Sequence, residues 1–176
     1  MSIASTYLQS TIKRLNFYKD LGDKTFEQLN ETDFHFQPND ESNSIAIIIQ
    51  HLGNNLISRW TDFLTTDGEK DWRNRDTEFI EGNLSKEQLL DVWNKGWKCF
   101  SDAIIPLTEN DLEKTIYIRG EAHSVLDAIN RGLTHAVYHV GHIVFIAKSI
   151  KNDSWKSLSI PRNKSVEFNE QLKKNM

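Results

Sequence analysis

The chain has 176 residues, 38% of them apolar and 26% charged, and a net charge of −4: enough for one domain with one core, and too apolar for disorder. No face is densely basic, which argues against nucleic acid or an anionic membrane as partner, and no apolar run reaches the ~20 residues that span a bilayer. Cys99 stands alone, so no intrachain disulfide can form and a soluble, cytoplasmic protein is expected.

The N-terminal stretch MSIASTYLQSTIKRLNFYKD has amphipathic spacing with charges and lacks the apolar centre of a signal peptide. It predicts a first helix from about Ser5 to Leu21, with Leu8, Ile12, Leu15 and Tyr18 along one side. A further turn near Thr25 to Leu29 extends it. Pro38 and its polar neighbours then mark a connection. Ser44 is a good N-cap for a second helix reaching about Thr65 and carrying Ile45, Ile48, Leu52, Ile57, Trp60 and Phe63. The polar segment TTDGEKDWRNRDTEFIEGN reads as a long surface or mouth-forming loop.

Ser85 and Gln88 form a capping box for the third helix, whose Leu90, Trp93, Trp97, Phe100, Ile104 and Leu107 recur at spacings of three and four. The Trp93/Trp97 stripe reads as core, and Pro106 ends or bends the last turn. KTIYIRGEAHS suggests a short strand and turn. Ser124 with Asp127 starts a fourth helix to about Ile150, apolar on most sides and therefore the most buried. Four such helices in one domain predict an all-α four-helix bundle spanning residues 1–176, with 151–176 as a tail packing over one end.

THAVYHVGHIVFIAK, residues 134–148, sets His135, His139 and His142 at spacings of four and three on that last helix. At about 100° per residue they form one stripe. A buried imidazole needs a hydrogen-bond partner or a metal, and a histidine pair four residues apart can aim two nitrogens at one ion. The glutamate that follows the first histidine in zinc-protease helices is missing, since Ala136 stands there. A bundle supplies a further ligand from a neighbouring helix, and His51, just after the apolar run IAIII, is the natural candidate. His35 and His123 fall in connections and read as surface or turn residues, and Cys99 lies off the core stripe.

Asn43-Ser44-Ile45, His51-Leu52 and His135-x3-His139-x-Gly141, in that order, resemble the DinB/YfiT-like superfamily of metal-binding four-helix bundles. The tail SIPRNKSVEFN, with Trp155 ahead of it, is similar to the ending of one uncharacterised branch. The resemblance implies a divalent ion, zinc or nickel, held by His51, His135 and His139. His142 departs from the pattern, in which Gln is common, and three roles stay open for it: fourth ligand, polar neighbour or proton shuttle serving the site, or replacement for another polar group. Arg162, inside the tail motif, is a candidate for holding an anionic substrate. Superfamily members include S-transferases using low-molecular-weight thiols such as bacillithiol or mycothiol. The implied function is a metal-dependent enzyme joining such a thiol cosubstrate to a small electrophile. The alternatives are a metal-dependent hydrolase and a non-catalytic metal-binding stress-response module. The expected partners are a small-molecule substrate and a second copy of the chain in a homodimer, with neither nucleic acid nor membrane.

Overall fold

The computed structural model describes residues 1–174. They form an all-α four-helix bundle with one small hairpin. In chain order the elements are α1 (Ile3–Phe26), the single turn α2 (Glu31–Phe34), α3 (Ile45–Trp60), α4 (Lys86–Ile104), the strands β1 (Thr115–Ile118) and β2 (Glu121–Ser124), α5 (Val125–Lys151) and α6 (Ser165–Lys174). β1 and β2 pair antiparallel, Thr115 opposite Ser124 and Ile118 opposite Glu121. No helix among the described residues is long and apolar enough to cross a membrane.

The three predicted helix starts hold. Ser44, Ser85 and Ser124 each accept a hydrogen bond from the backbone N–H three residues on, which satisfies one of the orphan donors of a first turn. Gln88 completes its box by accepting from the Ser85 N–H. Asp127 does not, because its carboxylate is bound to His123 Nδ1 at 2.7 Å.

Small residues set how closely the helices approach. A Cβ on Gly96 of α4 would lie 2.8 Å from the Cα of Gly53 in α3, so the two backbones touch at that crossing. On α5, a Cβ at Gly132 would lie 2.5 Å from the Trp60 ring, which itself stacks on Phe100 with centroids 4.3 Å apart. These contacts draw α3 against α4 at one level, and α5 against both at another. Leu89, Trp93, Trp97, Phe100 and Ile104 fill the α4 side of the core. Leu89 takes the place expected for Leu90; a spacing of three or four before Trp93 fits the helical period equally well, and packing selects four.

Other boundaries also differ. α1 starts earlier, capped by Ser2, and runs through Gly22 to Phe26. Gly22 does not break it, because a Cβ there would meet the Trp93 ring at 2.4 Å and the helix needs the bare backbone at that point. α3 ends at Trp60 instead of near Thr65. Thr61 turns extended, its hydroxyl donates to the Ile57 carbonyl at 2.8 Å, and Asp62 sits at φ 50°, a left-handed conformation that aspartate tolerates. Phe63 is nevertheless buried. In the tail, Trp155 packs against the core, and the Lys156 backbone exchanges two hydrogen bonds with the Gln28 side chain. α6 buries no residue.

Candidate metal centre

His51 lies in the second turn of α3, and His135 and His139 lie mid-way along α5. Their rings meet across the helix–helix interface. His135 Nε2 stands 3.4 Å from His51 Nε2 and 3.1 Å from His139 Nε2. One nitrogen from each ring falls within 4.8 Å of the others, a donor set able to hold a metal ion. His51 and His139 are buried, 5% and 8% exposed, whereas His135 is half-buried.

The loop between α3 and α4 decides which face His51 shows. A short 3-10 turn, Asp76–Phe79, brings in Glu78, whose Oε2 lies 2.9 Å from His51 Nδ1. Arg73 holds the same carboxylate through Nε and Nη2, each at 2.8 Å. Burial raises the Glu78 pKa, but the hydrogen bonds from Arg73 and His51 outweigh it and leave the carboxyl below its ordinary value. An ionised Glu78 accepts only, so His51 Nδ1 donates and His51 Nε2 turns a lone pair inward. Phe79 packs over the His51 ring, centroids 4.6 Å apart.

Burial, and then neighbouring positive charge, pushes the His135 pKa down to about 4 and the His139 pKa down to about 3. Both rings are therefore neutral at pH 7, as metal ligands must be. Their mutual contacts are hard to account for as hydrogen bonds alone. One neutral imidazole nitrogen either carries a proton or offers a lone pair, and His135 Nε2 faces two others. Nitrogens sharing one tetrahedral zinc, with bonds of about 2.0–2.1 Å, stand about 3.3–3.4 Å apart. The 3.4 and 3.1 Å separations are of that size. The donor set fits a divalent ion in its spacing, in the neutrality of His135 and His139, and in the His51 tautomer.

A cavity of about 450 Å³ opens beside the triad, lined in part by His51, His135, Asn55 and Tyr138. The cluster contains the predicted His51, His135 and His139. His142 stands apart: it is exposed, packs on Tyr138 with centroids 4.2 Å apart, and its ring lies 6.3 Å from that of His139. Arg162 sits on the exposed tail and does not line the cavity. Gly141, the glycine of the α5 motif, has open space where a Cβ would be. His35 binds Glu81, and His123 binds Asp127, both away from the triad.

Sequence reasoning missed Glu78 and Arg73, which come from the long loop and carry no spacing signal toward His51. Arg59 and Arg131, which also line the cavity, did carry one. Arg59 follows His51 by two steps of four, and Arg131 precedes His135 by one, so each shares a helix stripe with a ligand.

Residues 2–164 match a family model described as "Protein of unknown function (DUF1572)". No curated protein matches the chain. Among solved structures, a conserved protein from Enterococcus faecalis is similar at a TM-score of 0.62 and 15% identity, over 84% of this chain and 96% of that one. At that identity the likeness extends to the fold.

Proposed function

The chain belongs to the DUF1572 family, and we propose that it is a metal-dependent enzyme of DinB/YfiT-like type that joins a low-molecular-weight thiol to a small electrophile. The observation carrying this reading is a donor set of three histidines, among the described residues, beside a substrate-sized cavity. A purely structural zinc site generally closes with four protein ligands, and an open position is the mark of a reactive one. His142, the residue able to close the set by sequence, lies outside it.

His51, His135 and His139 would hold the ion, zinc or nickel. When bound there, a divalent ion favours the deprotonated form of a thiol or water, since three neutral ligands leave its charge uncancelled. The chain's own residues prepare that chemistry. Glu78 fixes the His51 tautomer, Arg73 keeps Glu78 ionised, and Phe79 covers the back of the His51 ring. In the transfer itself the thiol loses its proton to solvent and its sulfur bonds to the electrophilic carbon; the leaving group departs with its electron pair or, in an epoxide, the ring C–O bond opens and its oxygen takes a proton from solvent. The cavity beside His135 admits the reactants. Tyr138 and Phe145, exposed on α5, offer a face for the expected homodimer, testable by light scattering.

The test is a panel of small thiols against alkylating and epoxide electrophiles, run with and without chelator on untagged protein. Chelator-sensitive thioether formation is expected. Turnover indifferent to chelator would refute the reading. Ester or amide hydrolysis without thiol consumption would favour the hydrolase alternative.

A further inference from the structure

The chain contains seven arginines: Arg14, Arg59, Arg73, Arg75, Arg119, Arg131 and Arg162. Five of them, all but Arg14 and Arg162, line the cavity beside the histidines, and among the described residues no lysine or acidic side chain does. In a protein of net charge −4 this is a strong local concentration of one sign. It comes from four separate elements: α3, the long loop, the hairpin turn and α5.

Two of the five are neutralised. Arg73 is bound by Glu78 and Arg119 by Glu69, the latter at 2.9 Å. Among the described residues, Arg59, Arg75 and Arg131 form no ion pair. Arg75 lies over the Phe79 ring at 5.0 Å. Arg59 is held against the loop where Gly68 leaves room: a Cβ there would lie 2.9 Å from its side chain. The Nη1 atoms of Arg59 and Arg73 are both buried without a hydrogen-bond partner, and the Arg73 side chain is only 2% exposed. Leaving buried guanidinium donors unmatched costs stability. Gathering like charges costs more, as the Arg59 pKa records: burial, and then Arg131, bring it down to about 10. An anion seated among them would supply the missing acceptor and offset the repulsion. Guanidinium forks match the two oxygens of a carboxylate or phosphate.

We propose that this cavity binds the oxyanion group of a small dianionic substrate, a carboxylate or phosphate seated between Arg59 and Arg131. The stripes 51–55–59 on α3 and 131–135 on α5 then place the anionic end along the same helix faces as His51 and His135, so the remainder of the molecule extends toward the triad. The reactive end of the substrate rests on the proposed function; the anion subsite stands on the arginines alone.

Isothermal titration of the full chain, stripped with chelator and then dialysed, tests it with three probes: succinate, inorganic phosphate and uncharged succinamide. Saturable one-to-one binding of succinate or phosphate is expected, and the tighter of the two identifies the oxyanion. Succinamide should not bind. Arg59→Gln and Arg131→Gln should each weaken binding about tenfold or more, the loss of one charge-assisted contact, with folding checked by thermal melting. Arg131→Lys should fall between, keeping the charge and losing the fork. Arg14→Gln, which removes the same charge elsewhere, and His139→Ala should both leave binding intact. Equal weakening by Arg14→Gln, binding of succinamide, absence of saturable binding, or binding only after metal is restored would each overturn the proposal. Failure of the metal reading would instead show as wild-type protein that takes up no stoichiometric metal, or as alanine variants of His51 and His139 that keep it, with anion binding preserved.

Discussion

Glu78→Gln removes one charge and almost no volume, and it probes the coupling between loop and ligand. The wild-type carboxylate accepts three contacts, at 2.8 and 2.8 Å from Arg73 and 2.9 Å from His51. An amide has only one oxygen, so one side of it must face a donor with a donor. If the oxygen stays on Arg73 Nε, the amide nitrogen faces Arg73 Nη2 and His51 Nδ1. The simplest relief for His51 is to move its proton to Nε2, which replaces an inward lone pair with an inward N–H. Metal affinity should therefore fall about 10- to 100-fold, the usual cost of losing a partner that orients a ligand. The metal-free protein should suffer as well. Arg73 and Glu78 side chains are each 2% exposed, and breaking such a buried pair costs about 3–5 kcal/mol. The retained hydrogen bonding places the loss near the lower end, and at about 2–4 °C per kcal/mol for a chain of this size the melting temperature should drop by roughly 6–12 °C. Competition against a metallochromic chelator measures the first effect and scanning calorimetry of stripped protein the second. Wild-type metal affinity in a variant that melts normally would refute the tautomer argument.

Untagged His51→Ala and His139→Ala should each lose most of their metal by mass spectrometry, whereas His142→Gln should retain it; unchanged content in both alanine variants would sink the ligand assignment. Metal-free protein should lose stability as pH falls from about 6.5 toward about 3–4. In that window an unfolded histidine takes up a proton that folded His135 and His139 refuse, because their pKa values are lowered to about 4 and about 3, and the slope reaches about 1.4 kcal/mol per pH unit for each. Denaturant titrations across this range check it, and a His135→Gln/His139→Gln double variant with the same slope would contradict it. Gly96→Ala should destabilise by about 1–3 kcal/mol through overpacking, since its Cβ would lie 2.8 Å from Gly53; a neutral result in urea unfolding would mean that α3 and α4 can separate freely.

The parts legible in the sequence are those written in local periodicity. Ser44, Ser85 and Ser124 announce three helix starts because capping depends on residues three apart. His135 and His139 announce one half of the site because four residues make one helical turn. His51 needed more, namely the inference that a second buried helix faces the first. Glu78 and Arg73 were not legible, because an irregular loop has no period and its path is set by tertiary contacts. His142 shows a limit of spacing: a stripe two turns long on a helix need not face one neighbour throughout, and the third member packs beside Tyr138 with its ring 6.3 Å from that of His139. The end of α3 was misplaced because Phe63 continues the apolar pattern after the backbone has stopped being helical. Pattern reports burial, and burial does not require a helix.

The long loop is fastened at two places. Gly68 donates its N–H to the Tyr117 carbonyl at 2.8 Å, and Asp67 accepts from the backbone N–H groups of Arg119 and Gly120 at 2.8 and 2.7 Å, riveting one end to the hairpin. The other end is riveted to His51 through Glu78. A single segment thus behaves as a strut between the metal cluster and the hairpin wall of the cavity. Filling the histidine cluster should slow amide exchange at the hairpin tip, and loosening the tip by Asp67→Asn should weaken metal binding by no more than the free energy the metal adds to tip closure, because linkage between two ends of one strut is reciprocal.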